Sequence, residues 1–195
     1  MIRIFDRIFV GAERACPGCG PETGIEPSGR EFLDEHGEDW AIVHACKSPC
    51  HQYAVGYKGN LDKAHPNYLV LDKGRDLYLN MIDPPVPMFP PVLFSAALRF
   101  ADQHWNAGRS VLFHCNEGRS RAPSLALLFL AKIRRVISNE SYEAARRDFE
   151  MRYEFYFPGK GIVTYLTENW REAGRAILYQ EEFASSRIAG PASDY

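Results

Sequence analysis

No stretch of this chain is long and apolar enough to span a bilayer. The most apolar run, Pro84 to Leu98, is broken by five prolines. The opening Met1 to Ile8 alternates charged and apolar residues, so it lacks the unbroken apolar core of an export signal. A cytoplasmic protein with no membrane association is expected. An excess of one charge is missing too. A net charge of −2 gives no global reason to expect nucleic acid or an anionic membrane as a partner. Cysteine is scarce and odd in number: Cys16, Cys19, Cys46, Cys50 and Cys115. Without an export signal this argues against a disulfide framework and leaves at least one free thiol. There is no internal repeat and no low-complexity linker.

What remains is an ordinary globular composition, 46% hydrophobic and 25% charged over 195 residues. That length can bury a full core. One domain is expected over residues 1–184, with a flexible tail over 185–195, and a monomer. Ile2 to Phe5 and Arg7 to Val10 read as short strands. Cys16 to Pro27 is rich in glycine and proline and reads as a loop. Ser28-Gly29-Arg30-Glu31 has the form of a capping box for a short helix through about His36.

Trp40 to Ala45, Leu77 to Ile82 and Ser110 to His114 read as buried strands. The second ends at Asp83-Pro84-Pro85, because proline cannot donate to a sheet ladder. Phe94 to Ala107, Ala122 to Ile137, Ser141 to Phe155 and Gly161 to Leu178 read as helices. Strands alternating with helices predict an α/β fold: a central, mostly parallel sheet flanked by helices on both faces. Sites in such folds lie beyond the carboxyl ends of the strands. Three strands here end in reactive groups, at His44 to Lys47, at Asp83 and at Cys115. Asp72 and Asp76 precede their strand and are expected at the opposite rim.

The chemistry concentrates in His114-Cys115-Asn116-Glu117-Gly118-Arg119-Ser120-Arg121, between a strand and a helix. A short loop wrapped onto a helix N-terminus turns successive backbone N–H groups inward and makes an anion cradle. Gly118 allows a backbone conformation other residues resist. Pro123 suits a first helical turn. Cys115 begins the loop, where a helix N-terminus and a guanidinium both favour the nucleophilic thiolate. Arg121 can give two parallel hydrogen bonds to phosphate oxygens, which lysine cannot. A phosphate ester also needs its leaving oxygen protonated, and Asp83, in a proline-rich loop on a neighbouring strand, is the candidate acid.

These residues resemble the signature of the dual-specificity cysteine phosphatases: His-Cys, two residues, Gly, two residues, Arg. His114, Cys115, Gly118 and Arg121 fill it. In that family the general acid lies some thirty residues before the cysteine, and Asp83 lies 32 before Cys115. The likeness is strong over Leu77 to Ala131 and loose elsewhere, and it extends in general appearance to bacterial and phage-type members. It implies a phosphatase loop between strand and helix and a phosphocysteine on Cys115. Asp83 would act as acid and then base, and Arg121 as a phosphate clamp. His114, Asn116, Glu117, Gly118, Arg119 and Ser120 would bind the substrate phosphate. It implies no cofactor and no metal, and a phosphorylated protein as partner. Many members carry Ser or Thr after the arginine to ease thiolate departure. This chain has Ala122, as do slow members such as the phosphatases of regenerating liver, so slow breakdown of the intermediate is expected.

Other readings attach to other residues. Cys16-x-x-Cys19 with Cys46-x-x-x-Cys50, and His44 and His51 beside the second pair, has a spacing that zinc would tolerate. Lys47 and His51 follow a strand end and are candidates for substrate contact or for a solvated loop. Gly159-Lys160-Gly161 is too short for a nucleotide loop and reads as a helix start. Besides a phosphatase for phosphotyrosine, with phosphoserine and phosphothreonine in reach, three alternatives stand. One is a phosphate-binding interaction module with little turnover. Another is a phosphatase for a phosphoinositide or an RNA 5′-phosphate. The last is a sulfur-transfer enzyme.

Overall fold

A computed structural model describes residues 1–12 and 39–173 of the chain. Six strands form one sheet: β1 (Ile2–Phe5), β2 (Ile8–Gly11), β3 (Trp40–His44), β4 (Val70–Asp72), β5 (Asp76–Leu79) and β6 (Ser110–His114). Their order is β1-β2-β6-β3-β5-β4. The inner pairs β2/β6, β6/β3 and β3/β5 are parallel, and the edge pairs β1/β2 and β4/β5 are antiparallel. The sheet is therefore mostly parallel, as the alternation of elements predicts.

Every residue of β3 and β6 is buried, which explains their unbroken apolar reading: a central parallel strand is covered on both faces. Side chains alternate between the faces. Ala41, Val43, Val111 and Phe113 join the main core. Trp40, Ile42 and Leu112 form a smaller cluster with Phe9 on the other face. His44 and His114 have the parity of this second face.

The main core is closed by helices. In α2 (Pro91–Asn106), which follows α1 (Gln52–Val55), Leu93, Phe94, Ala97, Leu98, Phe100 and Ala101 are buried at helical spacing. Pro91 occupies a first-turn position where its missing N–H is harmless. Gly108, at φ +87°, ends the run. α3 (Arg121–Leu128) leaves the loop after β6 and runs into a wider π-type turn, Phe129–Ile133. Ala122 to Ala131 are all buried, which makes α3 the central helix. α4 (Tyr142–Glu150) is capped by Ser141, whose Oγ accepts from Ala144 N–H at 3.1 Å. α5 (Lys160–Asn169) follows. Cys46, Cys50 and Tyr78, backed by Ala54 of α1, cover part of the second face.

Several boundaries differ from the sequence reading. β4 is an addition to it, a three-residue, half-buried edge strand. β5 starts one residue earlier than expected and stops at Leu79, since Asn80 N–H turns to Leu69 O. The helices end at Ile133 and Glu150 rather than Ile137 and Phe155. The expected loop at Cys16 to Pro27, the helix after Ser28 and the tail over 185–195 lie outside the described residues, as does the end of the last helix. Among the described residues, no helix is long and apolar enough to cross a membrane.

Candidate active site

The four parallel strands end on one rim, and β6 delivers Cys115 to it. Cys115 is 1% exposed and opens into a cavity of about 330 Å³. Asp83, Glu117, Arg119, Ser120, Arg121, Phe157 and Gly159 line it as well. The groups singled out by spacing alone therefore share one recess. Among the described residues, the backbone N–H groups of Glu117, Gly118, Arg119 and Ser120 bond to no other backbone group. They are available to an anion, as the helix N-terminus requires. Gly118 has φ +70°, and a Cβ there would stand 3.0 Å from Ala12 N and from the Gly11 carbonyl carbon. Both the backbone conformation and the close approach to the end of β2 demand glycine.

Arg121 is fixed before any ligand arrives. Its Nη1–H donates to Met81 O at 3.0 Å and its Nη2–H donates to Asn116 Oδ1 at 2.7 Å. Asn116 in turn donates through Nδ2 to Ser48 O at 2.8 Å. The Nε–H of Arg121 is buried with no partner among the described residues, an arrangement that suits an incoming phosphate oxygen.

No protein-family profile and no curated protein matches the chain. Solved structures do. Human DUSP28 superposes with a TM-score of 0.57 at 17% identity, over 92% of this chain and 99% of that one. DUSP15 gives 0.61 at 15% identity, over 93% and 94%. PTPMT1, solved in complex with PI(5)P, gives 0.58 at 17% identity, over 90% and 97%. The chain has the fold of the dual-specificity phosphatases.

Within that fold, the Asp83 loop is seated by a segment whose sequence reads only as a helix start. A Cβ at Gly159 would stand 2.7 Å from Asp83 Oδ1, and one at Gly161 would collide with Pro84 O and Val86 O. The same segment is tied to the cysteine loop. Gly159 N–H donates to Ser120 Oγ at 2.9 Å, and Phe157 N–H donates to Arg119 O at 2.9 Å. Gly159-Lys160-Gly161 thus starts α5 as expected and also sets the acid loop against the cysteine loop. Nothing local in the sequence shows this, because only the tertiary contact makes the missing side chains matter.

The far side of the loop is held by tyrosines. Tyr153 O–H donates to Gly118 O at 2.8 Å. Burial and then the neighbouring Cys115 push its phenol up to about 12, so it stays neutral and donating. Ser124 Oγ, Tyr156 Oη and Tyr142 Oη form a buried hydroxyl chain at 2.9 and 3.0 Å under the start of α3. Burial pushes the Tyr156 phenol well up.

His114 is fully buried and lies 2.7 Å from His44, its Nε2 against His44 Nδ1. His44 Nε2–H donates to Asp76 Oδ1 at 2.8 Å. Asp76 begins β5, at the end of that strand away from Cys115 as expected, and the His44 ring reaches back to it. Burial lowers both histidines. Asp76 opposes the shift of His44, while the neighbouring His44 adds to that of His114.

The remaining candidates fall elsewhere. Lys47 N–H donates to Met81 O, and the Lys47 side chain lines a second recess of about 480 Å³ with Lys63, Asn60, Ile82 and Met88. His51 is spent on folding its own loop, with ring contacts to Tyr57 Oη and Asn67 O at 3.0 Å each. Asp102 pairs with Arg134 on the helix side. Cys115 is a free, buried thiol. Cys46 is also a free, buried thiol, its Sγ–H directed at Cys50 Sγ at 2.6 Å. Cys50 is disulfide-bonded. Cys16 and Cys19 lie outside the described residues. His44, Cys50 and His114 offer donor atoms within 4.8 Å of one another, a spacing open to a cation. The two rings are engaged with each other and with Asp76.

Proposed function

We propose that this protein is a cysteine-dependent phosphatase acting on phosphotyrosine, with phosphoserine and phosphothreonine as further substrates. The observation that carries this is the convergence of Cys115, Arg121 and Asp83 on one recess whose loop N–H groups bond to no other described backbone group. The phosphoryl group would sit on those N–H groups with Arg121 across two of its oxygens. The Cys115 thiolate attacks phosphorus in line and Asp83 gives its proton to the departing oxygen. The phosphocysteine is then cleaved by water, with Asp83 taking the water's proton. Ala122 leaves the departing thiolate without a hydroxyl partner, so this second step is slow. The fold shared with DUSP28 and DUSP15 supports the reading.

A second reading keeps the chemistry and changes the substrate to a phosphoinositide. The recess holding Lys47 and Lys63 adjoins Ile82, next to Asp83, and would receive a second anionic group. One similar structure, PTPMT1, was solved with PI(5)P.

Hydrolysis of an aryl phosphate by wild type, Cys115→Ser and Asp83→Ala across pH tests the reaction. Wild type should give a bell-shaped profile and Cys115→Ser no turnover. Turnover of the serine variant at the wild-type rate would remove the proposal. A phosphotyrosine peptide assayed beside PI(5)P then separates the two substrates.

A further inference from the structure

Between α4 and α5, Phe157 follows the buried Tyr156 and precedes Pro158, which biases its backbone toward the extended region. Its N–H donates to Arg119 O at 2.9 Å, and Gly159 N–H donates to Ser120 Oγ at 2.9 Å. On the other side, Tyr156 Oη is bonded to Ser124 and Tyr142. The main chain at Phe157 is thus fixed against the cysteine loop from both directions. The side chain is left in the open. Phe157 is 76% exposed, joins no hydrophobic cluster and packs on no other ring among the described residues.

A lone exposed aromatic is ordinary on a protein surface. This one lines the cavity that holds Cys115, Arg121 and Asp83. The rest of that lining, Glu117, Arg119, Ser120 and Gly159, is polar or lacks a side chain, so Phe157 brings the cavity its one large apolar group among the described residues. Gly159 bears on the Asp83 carboxylate, and Gly161 bears on the carbonyls of Pro84 and Val86. The same short segment therefore sets Phe157 beside the acid loop as well as beside the cysteine loop.

A phosphoryl group held by the loop N–H groups and Arg121 takes the floor of this cavity of about 330 Å³ and leaves its mouth empty. The departing oxygen has to lie by Asp83 to receive its proton. Whatever that oxygen carries then leaves the cavity between Asp83 and Phe157. A phenyl ring bonded directly to the oxygen presents a flat apolar face, and an aromatic pair gains more than the burial of its area. A seryl ester presents a single methylene at the same place. An inositol ring would set hydroxyl groups against the apolar ring, where they lose water without finding a partner.

We infer that Phe157 is a specificity-determining residue: its ring is the wall for an aromatic leaving group and ranks phosphotyrosine above phosphoserine and phosphothreonine. The inference rests on the phosphatase reading and narrows its substrate class to aryl phosphate esters. The anchored main chain lowers the cost of the contact, because only the two side-chain torsions of Phe157 remain to be ordered on binding.

The test is kcat/KM on a phosphotyrosine peptide and on the same peptide with phosphoserine, for wild type, Phe157→Ala and Phe157→Tyr. Inorganic phosphate serves as a competitive inhibitor of each. Wild type should prefer phosphotyrosine. Phe157→Ala should lose about tenfold on the phosphotyrosine peptide and no more than about twofold on the phosphoserine peptide. Its inhibition constant for inorganic phosphate should match wild type, since free phosphate reaches the loop and not the ring. Phe157→Tyr, which keeps the aromatic face, should keep the preference. Equal losses on the two peptides, or weaker inhibition by phosphate in step with them, would overturn the inference by showing that Phe157 only supports the cysteine loop. A wild type that hydrolyses both peptides equally well would overturn it too, with the phosphatase reading intact. A wild type that hydrolyses neither peptide nor a simple aryl phosphate would remove the phosphatase reading itself.

Discussion

Asp83 rests against Gly159: a side chain at position 159 would begin 2.7 Å from the carboxylate oxygen. The proposed acid is therefore placed by a residue that contributes only its lack of a side chain. Gly159→Ala should displace Asp83 without touching Cys115. With a poor leaving group, which needs the proton, kcat should fall on the order of tenfold to a hundredfold. With a good leaving group kcat/KM, which reports the first step alone, should change by less than about threefold, because the departing oxygen then needs little help from the acid. Steady-state kinetics on a pair of aryl phosphates checks this.

Removing the acid outright is the companion measurement. Asp83→Asn should lower kcat on a poor leaving group by about 10²–10⁴ and flatten the alkaline side of the pH profile. An unchanged alkaline limb would assign the proton to another group.

Ala122 is wholly buried at the start of α3. If breakdown of the phosphocysteine limits turnover, a good aryl phosphate should give a burst close to one product per enzyme, followed by a slower steady rate. Ala122→Ser should shrink the burst and raise the steady rate several-fold. A time course that is linear from the first turnover would contradict slow breakdown.

Tyr153 ties Gly118 O to the segment after α4 through a 2.8 Å hydrogen bond. Tyr153→Phe removes that bond and leaves a buried carbonyl unpaired. Stability should drop by about 1–3 kcal/mol in urea unfolding. The KM for an aryl phosphate should rise more than kcat falls, because the loop that receives phosphate is loosened.

Burial holds His114, His51 and His104 below their ordinary value of 6.5, with His44 adding to the effect at His114 and Arg109 at His104. The unfolded chain then binds protons at these positions before the folded chain does. Stability should be full above about pH 7.5 and should fall as pH drops through 6.5 toward the folded values. Urea midpoints taken between about pH 8 and pH 5 read this directly. A midpoint constant until the carboxylate range near about pH 4 would contradict it.

The sheet and the loop were legible in the sequence for a physical reason. Central parallel strands are buried on both faces, so β3 and β6 read as short apolar runs. The cysteine, glycine and arginine of the loop sit within seven residues, so local spacing carries the geometry. Asp83 was reachable because it lies just beyond a strand, in the proline-rich segment after β5. The contacts that complete the site were not. Gly159, Tyr153, the Met81 carbonyl and Asp76 act across 32 or more residues of chain, and each has an ordinary local context. β4 is too short and too exposed to show a pattern. Half of the cysteine set, Cys16 and Cys19, lies outside the described residues. The other two, Cys46 and Cys50, pack against Tyr78 on the sheet.

Covalent catalysis by Cys115 is the central claim, and trapping the intermediate tests it most directly. Wild type would be mixed with an aryl phosphate, quenched in the burst phase and digested for peptide mass spectrometry. The predicted result is phosphate on the peptide carrying Cys115, in near-stoichiometric amount, and none in Cys115→Ser. Turnover of the substrate with no phosphate on Cys115, under conditions where a burst is seen, would contradict it.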